Sequence, residues 1–120
     1  MTKIHESSRP ATSILDFSSS AIESFLYNKL SQHKVDAAYL FGSCVQDKAT
    51  AWSDIDLVIV MQTDAPFLER AREFADLFEL GLPIDILVYT PQEFKQLQPS
   101  DSGFWESFRT NHKKILPQSP

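Results

Sequence analysis

The stretch that decides the fold is Ser53-Asp54-Ile55-Asp56-Leu57-Val58-Ile59, preceded by Tyr39-Leu40-Phe41-Gly42-Ser43. Ile55, Leu57, Val58 and Ile59 are the β-branched and aliphatic types of a central strand, so the spacing predicts a strand over 54–59. That strand carries two aspartates among apolar neighbours, where an isolated carboxylate is costly to desolvate. Asp54 and Asp56 stand two apart, so both leave one face, about 6.6 Å from each other at the usual rise per residue. Asp36 to Phe41 is short, apolar and aromatic and runs into Gly42-Ser43, which predicts a first buried strand that stops at a tight turn.

Downstream, Pro83-Ile84-Asp85-Ile86-Leu87-Val88-Tyr89 reads as a third strand, again with an aspartate in an aliphatic run. If Asp85 lies beside the other two, each like-charge pair costs roughly 2.5 kcal/mol at about 6.6 Å and an effective dielectric of about 20. Such a trio calls for a cation. Oxygen ligands with no Cys or His at ligand spacing favour Mg²⁺ or Mn²⁺ over zinc. Gly42 allows close backbone approach, and the N–H groups and hydroxyl of Gly42-Ser43 suit phosphate oxygens.

The rest of the chain supplies helices. Ser20-Ala21-Ile22-Glu23 has the form of a capping box, and Ile22, Phe25, Leu26 and Leu30 follow at helical spacing, predicting a helix over about 20–32. Asp64 is placed to cap a helix with Pro66 in its first turn and a stripe of Phe67, Ala71, Phe74, Ala75 and Phe78, ending at Gly81. The alternating charges of Glu69-Arg70-Ala71-Arg72-Glu73 form its solvated side. Thr90-Pro91-Gln92-Glu93 starts another helix that ends near Gln98, and Phe104, Phe108 and Ile115, with His112 beside them, fall on one face of a last helix. Trp105 and Phe108 are expected to fill the core, and the three histidines to take surface or core-edge places. The order helix, strand, strand, helix, strand, helix, helix indicates an α/β architecture, a small sheet covered by helices. Residues 1–17 read as an N-terminal arm and 18–120 as a single domain.

Eleven Lys and Arg against sixteen Asp and Glu leave a net charge of −5, so no global basic field holds a polyanion and direct nucleic-acid binding is disfavoured. One cysteine, Cys44, forms no internal disulfide, and the start of the chain lacks a secretory signal, which points to a reducing, cytoplasmic location. The longest apolar run, Leu57 to Met61, is too short to cross a bilayer. Cys44 has no base partner close in sequence and is expected to be an inert thiol, while Trp52 is more simply a loop anchor than a stacking platform.

Gly42-Ser43, ten residues, then Asp54-Ile55-Asp56 resembles the signature of the minimal nucleotidyltransferase (MNT) family of the DNA polymerase beta-like superfamily. The resemblance covers about residues 20–90, with Phe41 before the Gly-Ser pair, Ser53 before the aspartates, and Asp85 on what looks like the family's third carboxylate strand. It implies a nucleotidyltransferase fold with a mixed sheet. Asp54 and Asp56 would hold two Mg²⁺ ions, and Asp85 would complete the catalytic metal site and help deprotonate or orient the attacking hydroxyl. Gly42 and Ser43 would grip the triphosphate of ATP. Relatives often carry an arginine and a glycine soon after the Gly-Ser pair. The loop Cys44 to Thr50 has neither, and Lys48 would supply the positive charge as a flexible point charge.

Small members of the family are commonly paired with a HEPN ribonuclease toxin, so the resemblance implies an antitoxin that transfers AMP from ATP to a tyrosine of that partner. Two alternatives stand beside this expectation. One is a weak or inactive nucleotidyltransferase fold that neutralises its toxin by docking, and the other is an enzyme whose acceptor is a small hydroxylated molecule such as an aminoglycoside.

Overall fold

The computed structural model describes residues 13–42, 45, 49–50 and 53–117. Four strands form one sheet in the order β3-β2-β1-β4: β1 Ala37–Phe41, β2 Ile55–Val60, β3 Ile84–Tyr89 and β4 His112–Leu116. β1 pairs antiparallel with β2 and with β4, while β2 and β3 run parallel, which makes the sheet mixed. The parallel pair requires a crossover, and a helical segment Phe67–Leu80 supplies it.

Side chains alternate across the strands and separate two apolar layers. Ala38, Leu40, Ile55, Leu57, Ile59, Ile84 and Val88 face one side, where they bury Ile22, Leu26 and Leu30 of helix α1 (Ser19–Leu30) together with Phe74 and Leu77. Val58 and Val60 face the other, beneath Trp105 and Phe108 of helix α3 (Gly103–Thr110). Tyr39, Phe41, Tyr89 and Phe94 complete that second layer, with Phe94 on helix α2 (Pro91–Leu97). Phe108 sits edge-on to Tyr39 at 5.5 Å and to Trp105 at 5.5 Å, the arrangement that aromatic quadrupoles favour.

The crossover segment differs from its expectation in an instructive way. Neither Asp64 nor any other side chain caps it: Pro66 occupies the N-cap position. It is wound as a 3-10 helix with a non-helical break at Phe74. Three residues per turn put i and i+3 on one side. Phe74 and Leu77 are therefore buried, with Leu80 packed against the same core, while Phe78 of the expected 3.6-residue stripe is 48% exposed. Gly81 ends the segment in the left-handed region at φ 82°, as a C-terminal glycine should.

Arg70 does not belong to a solvated side. Its guanidinium donates to the carbonyls of Ala65 and Val88 and to both oxygens of Glu93, at 2.6 and 3.2 Å. Glu93 in turn closes the capping box of α2, accepting from the Thr90 amide while Thr90 Oγ1 accepts from the Glu93 amide. One buried cation thus ties the crossover to β3 and to the start of α2. The Arg70 contact holds the Glu93 carboxyl below its usual range.

The chain also ends differently. The expected last helix stops at Thr110, Asn111 leaves helical geometry at φ −134° and ψ 73°, and residues 112–116 add a strand to the open edge of β1. Phe108 and Ile115, expected on one helical face, lie on opposite sides of the sheet. Two lysines, Lys113 and Lys114, mark this edge strand, a placement that discourages edge-to-edge association. At the other end, residues 1–12 of the expected arm lie outside the described residues. Residues 14–16 form a 3-10 turn capped by Ser13, and Ile14 is buried in the first layer. The cap of α1 is Ser18, two residues ahead of the expected box. No helix among the described residues is long and apolar enough to cross a membrane.

Replacing Arg70 with Ala leaves the Val88 carbonyl and Glu93 without their donor, and is expected to cost about 2 kcal/mol of stability. Chemical denaturation checks this, and Arg70→Lys should recover only part of the loss because an ammonium has no planar fork.

Candidate active site

The acidic residues gather at the start of the parallel pair. Asp56 and Asp85 are direct partners in the β2–β3 register. Both fall on the second-layer face, because they alternate with Ile55, Leu57, Ile84 and Ile86, which face or pack against the first layer. Asp54 precedes β2 by one residue and is exposed, as is Asp85, whereas Asp56 is half-buried. On the other side of Asp56, Phe41 is its register partner across β1, followed by Gly42.

Gly42 is essential to this packing. It lies at φ 83°, a conformation that side chains disfavour, and a Cβ built there would overlap Asp56 Oδ2 and sit 3.2 Å from its Cγ. The backbone turn and the Asp56 carboxyl therefore touch. A glycine is needed because the carboxylate fills the place a side chain would take.

Electrostatics single out Asp56. Burial first, then the charges of Asp85 and Asp54, then a hydrogen bond with the Asp85 carboxyl, push its pKa from 3.8 to about 6. Each of these causes acts against a second negative charge. A carboxyl-to-carboxyl hydrogen bond needs a proton on one partner, and a bound cation would take that proton's place.

The donor set is all carboxylate oxygen, the kind of ligand that Mg²⁺ takes. Among the described residues no group of three or more His, Cys, Asp or Glu side chains is drawn together closely enough to hold a metal ion. The assembled part is the Asp56–Asp85 pair. Magnesium is commonly held by one or two carboxylates, with water and substrate phosphate in its other positions, so the pair fits it.

Of the six site residues expected from the sequence, the fold brings Asp56, Asp85 and Gly42 together and leaves Asp54 near enough to act on Asp56. Ser43 and Lys48 lie outside the described residues, as do Cys44 and Trp52. His33 bonds elsewhere, while His112 continues the strand row of Asp85, Asp56 and Phe41 as the partner of Phe41 on β4. His33 bonds Asp76 at 3.1 Å beside Phe74, and His112 stacks on Phe108 at 4.8 Å. The sequence reading passed over Phe41 as a neighbour of the aspartates. Its place follows from the antiparallel β1–β2 register, which spacing alone does not reveal.

Comparisons with known proteins bear on the family and the fold. A family model described as polymerase beta, nucleotidyltransferase matches residues 22–114. No curated protein matches the chain. Among solved structures, a toxin-antitoxin crystallised with AMP-PNP is similar over 81% of this chain and 74% of its own, with 21% identity and a TM-score of 0.53. A tri-AMPylated Shewanella oneidensis HEPN toxin in complex with MNT antitoxin matches over 84% and 74% respectively, at 18% identity and a TM-score of 0.55. The toxin-antitoxin MntA-HepT matches over 82% and 73%, at 18% identity and a TM-score of 0.52. At such identities these likenesses concern the fold.

Two outcomes follow from the site itself. The folded state binds a proton at Asp56 more tightly than the unfolded state does. Its contribution to stability is therefore present below about pH 4 and is lost as pH rises through about 6. Asp56→Asn should raise the melting temperature of the metal-free protein by roughly 3–10 °C above pH 7, corresponding to about 1–2 kcal/mol after solvent screening, and by nothing below pH 4. Gly42→Ala should destabilise by about 1–3 kcal/mol, and a double-mutant cycle should show a smaller cost in an Asp56→Ala background, where the overlapping carboxyl is gone.

Proposed function

Because the chain belongs to the polymerase beta nucleotidyltransferase family, we propose that it transfers AMP from ATP to a tyrosine hydroxyl of a partner HEPN ribonuclease toxin and thereby neutralises it. The observation that carries this reading is the Asp56–Asp85 pair in parallel register, with Gly42 against Asp56 and Asp54 close enough to raise the local charge. The tri-AMPylated HEPN toxin bound to an MNT antitoxin, and the toxin-antitoxin bound to AMP-PNP, support both the chemistry and the partner class.

In this reading Asp54 and Asp56 would hold two Mg²⁺ ions and Asp85 would complete the catalytic one. The ions supply charge neutralisation for the triphosphate and the leaving group. Gly42 and Ser43 hold phosphate oxygens through backbone N–H groups and the Ser43 hydroxyl, and Lys48 adds positive charge. Asp85 accepts the proton of the tyrosine hydroxyl as its oxygen attacks the α-phosphorus. The new O–P bond forms, the bond between the α-phosphorus and the bridging oxygen breaks, and pyrophosphate departs with that oxygen. Burial and neighbouring charge make Asp56 a poor place for a lone negative charge, so a cation is favoured there electrostatically.

A second reading, neutralisation by docking, is favoured by the loop from Cys44 to Thr50, which lacks the arginine and glycine common after the Gly-Ser pair. The experiment that separates them incubates the chain with its co-purified partner, labelled ATP and Mg²⁺. We expect a partner mass gain of one or more AMP groups, reduced about 100-fold or more in Asp54→Asn and in Asp56→Asn. Label that persists in both variants removes these carboxylates from the chemistry. A neutralised but unlabelled toxin supports docking.

A further inference from the structure

Building on the nucleotidyltransferase reading, we propose that the exposed ring of Phe104 is the platform on which the nucleobase of the triphosphate stacks, which makes it a specificity-determining residue. Phe104 is 38% exposed, unlike its helix neighbours Trp105 and Phe108, which are buried. Its ring is held rather than loose: it packs edge-on to Phe41 at 5.3 Å and 79° and to Trp105 at 4.9 Å and 83°. Phe41 is packed a second time, against Phe108 at 5.7 Å.

Position argues for a ligand tied to the acidic pair. Phe41 is the register partner of Asp56 and the residue before Gly42, and its ring also meets that of Phe104, so it links the two. A cross-strand neighbour is about 5 Å away and one further ring spacing is similar, so Phe104 lies at most roughly 10–15 Å from the Asp56 carboxyl. That separation leaves room for a sugar between a phosphorus held at the aspartates and a base held on the ring.

A neutral planar base suits such a ring, since every base has a π-face and stacking is worth enough to weaken binding several-fold when the ring is removed. The surroundings are apolar and aromatic, with Phe41, Trp105 and Phe94 in the same layer. A platform of this kind favours the larger purines over pyrimidines by stacking area, with no donor or acceptor code.

The test uses the 120-residue chain and measures affinity for Mg-ATP, Mg-CTP and Mg-tripolyphosphate, the last having no base, by calorimetry. Phe104→Leu keeps apolar bulk and guards against loss of folding, Phe104→Ala removes the ring outright, and Phe104→Trp restores a larger face. We expect Leu and Ala to weaken ATP binding about tenfold, to shrink the preference for ATP over CTP, and to leave tripolyphosphate unchanged, with Trp at or above the original affinity. Equal weakening of ATP and tripolyphosphate, unchanged ATP affinity, or no ATP binding by the unsubstituted chain overturns the proposal. So does an effect confined to the KM for the protein acceptor, which would assign the ring to the partner. If the unsubstituted chain binds ATP in the expected pattern yet labels no partner, the platform stands and the transfer reading fails. If it labels its partner and Phe104 variants keep the original KM for ATP, the reverse holds.

Discussion

The structure depends on one unfavourable juxtaposition: the Asp56 carboxyl, half-buried, faces Asp85 across a parallel strand pair while Asp54 adds a third charge. Burial alone opposes ionisation there, and the two neighbours oppose it further. A fold built only for stability would place aliphatic side chains at positions 56 and 85, as it does at 58, 60, 84 and 88. Retention of such a pair makes chemical sense where a cation relieves it. The sheet is arranged to hold the pair in place, with β2 central, β3 parallel beside it, and β1 delivering Gly42 to the one point where a side chain would collide with Asp56.

The surrounding packing serves this placement. The first layer, with α1 and the 67–80 segment over Ile55, Leu57 and Ile59, anchors β2 from behind and leaves the acidic face free of that core. The second layer is an aromatic cluster in which Phe108 touches Tyr39, Phe41, Phe94 and Trp105. Phe41 belongs both to this cluster and to the strand row that carries Asp56, so the aromatic layer packs up to the rim of the acidic site. Arg70 performs a similar task at the far end of β3, where one guanidinium joins the crossover, the strand and the capping box of α2.

Errors in reading the sequence trace to specific physical causes. The stripe from Phe67 to Phe78 assumed 3.6 residues per turn, yet the segment winds with three, so Phe74 and Leu77 turn inward and Phe78 outward. Phe104, Phe108 and Ile115 do have helical spacing, but residues 112–116 pair with the free edge of β1 instead, which buries Ile115 in the first layer. Arg70 looked like a surface charge because local alternation carries no information about the carbonyls and the carboxylate that the crossover brings to it.

Sequence alone determined the three β-rich runs, a first helix from about residue 20, the capping box at Thr90, the helix stop at Gly81 and the presence of aspartates in strands that should be apolar. Each of these is a local property, written in residue type and spacing, and the Gly-Ser and Asp-x-Asp pattern pointed to the nucleotidyltransferase family that the match over residues 22–114 identifies. Tertiary structure decided which carboxylates meet, that Gly42 has no room for a side chain, that Phe41 stands beside Asp56, and that residues 112–116 form a strand. Register and edge pairing join residues far apart in the chain, and no local period encodes them.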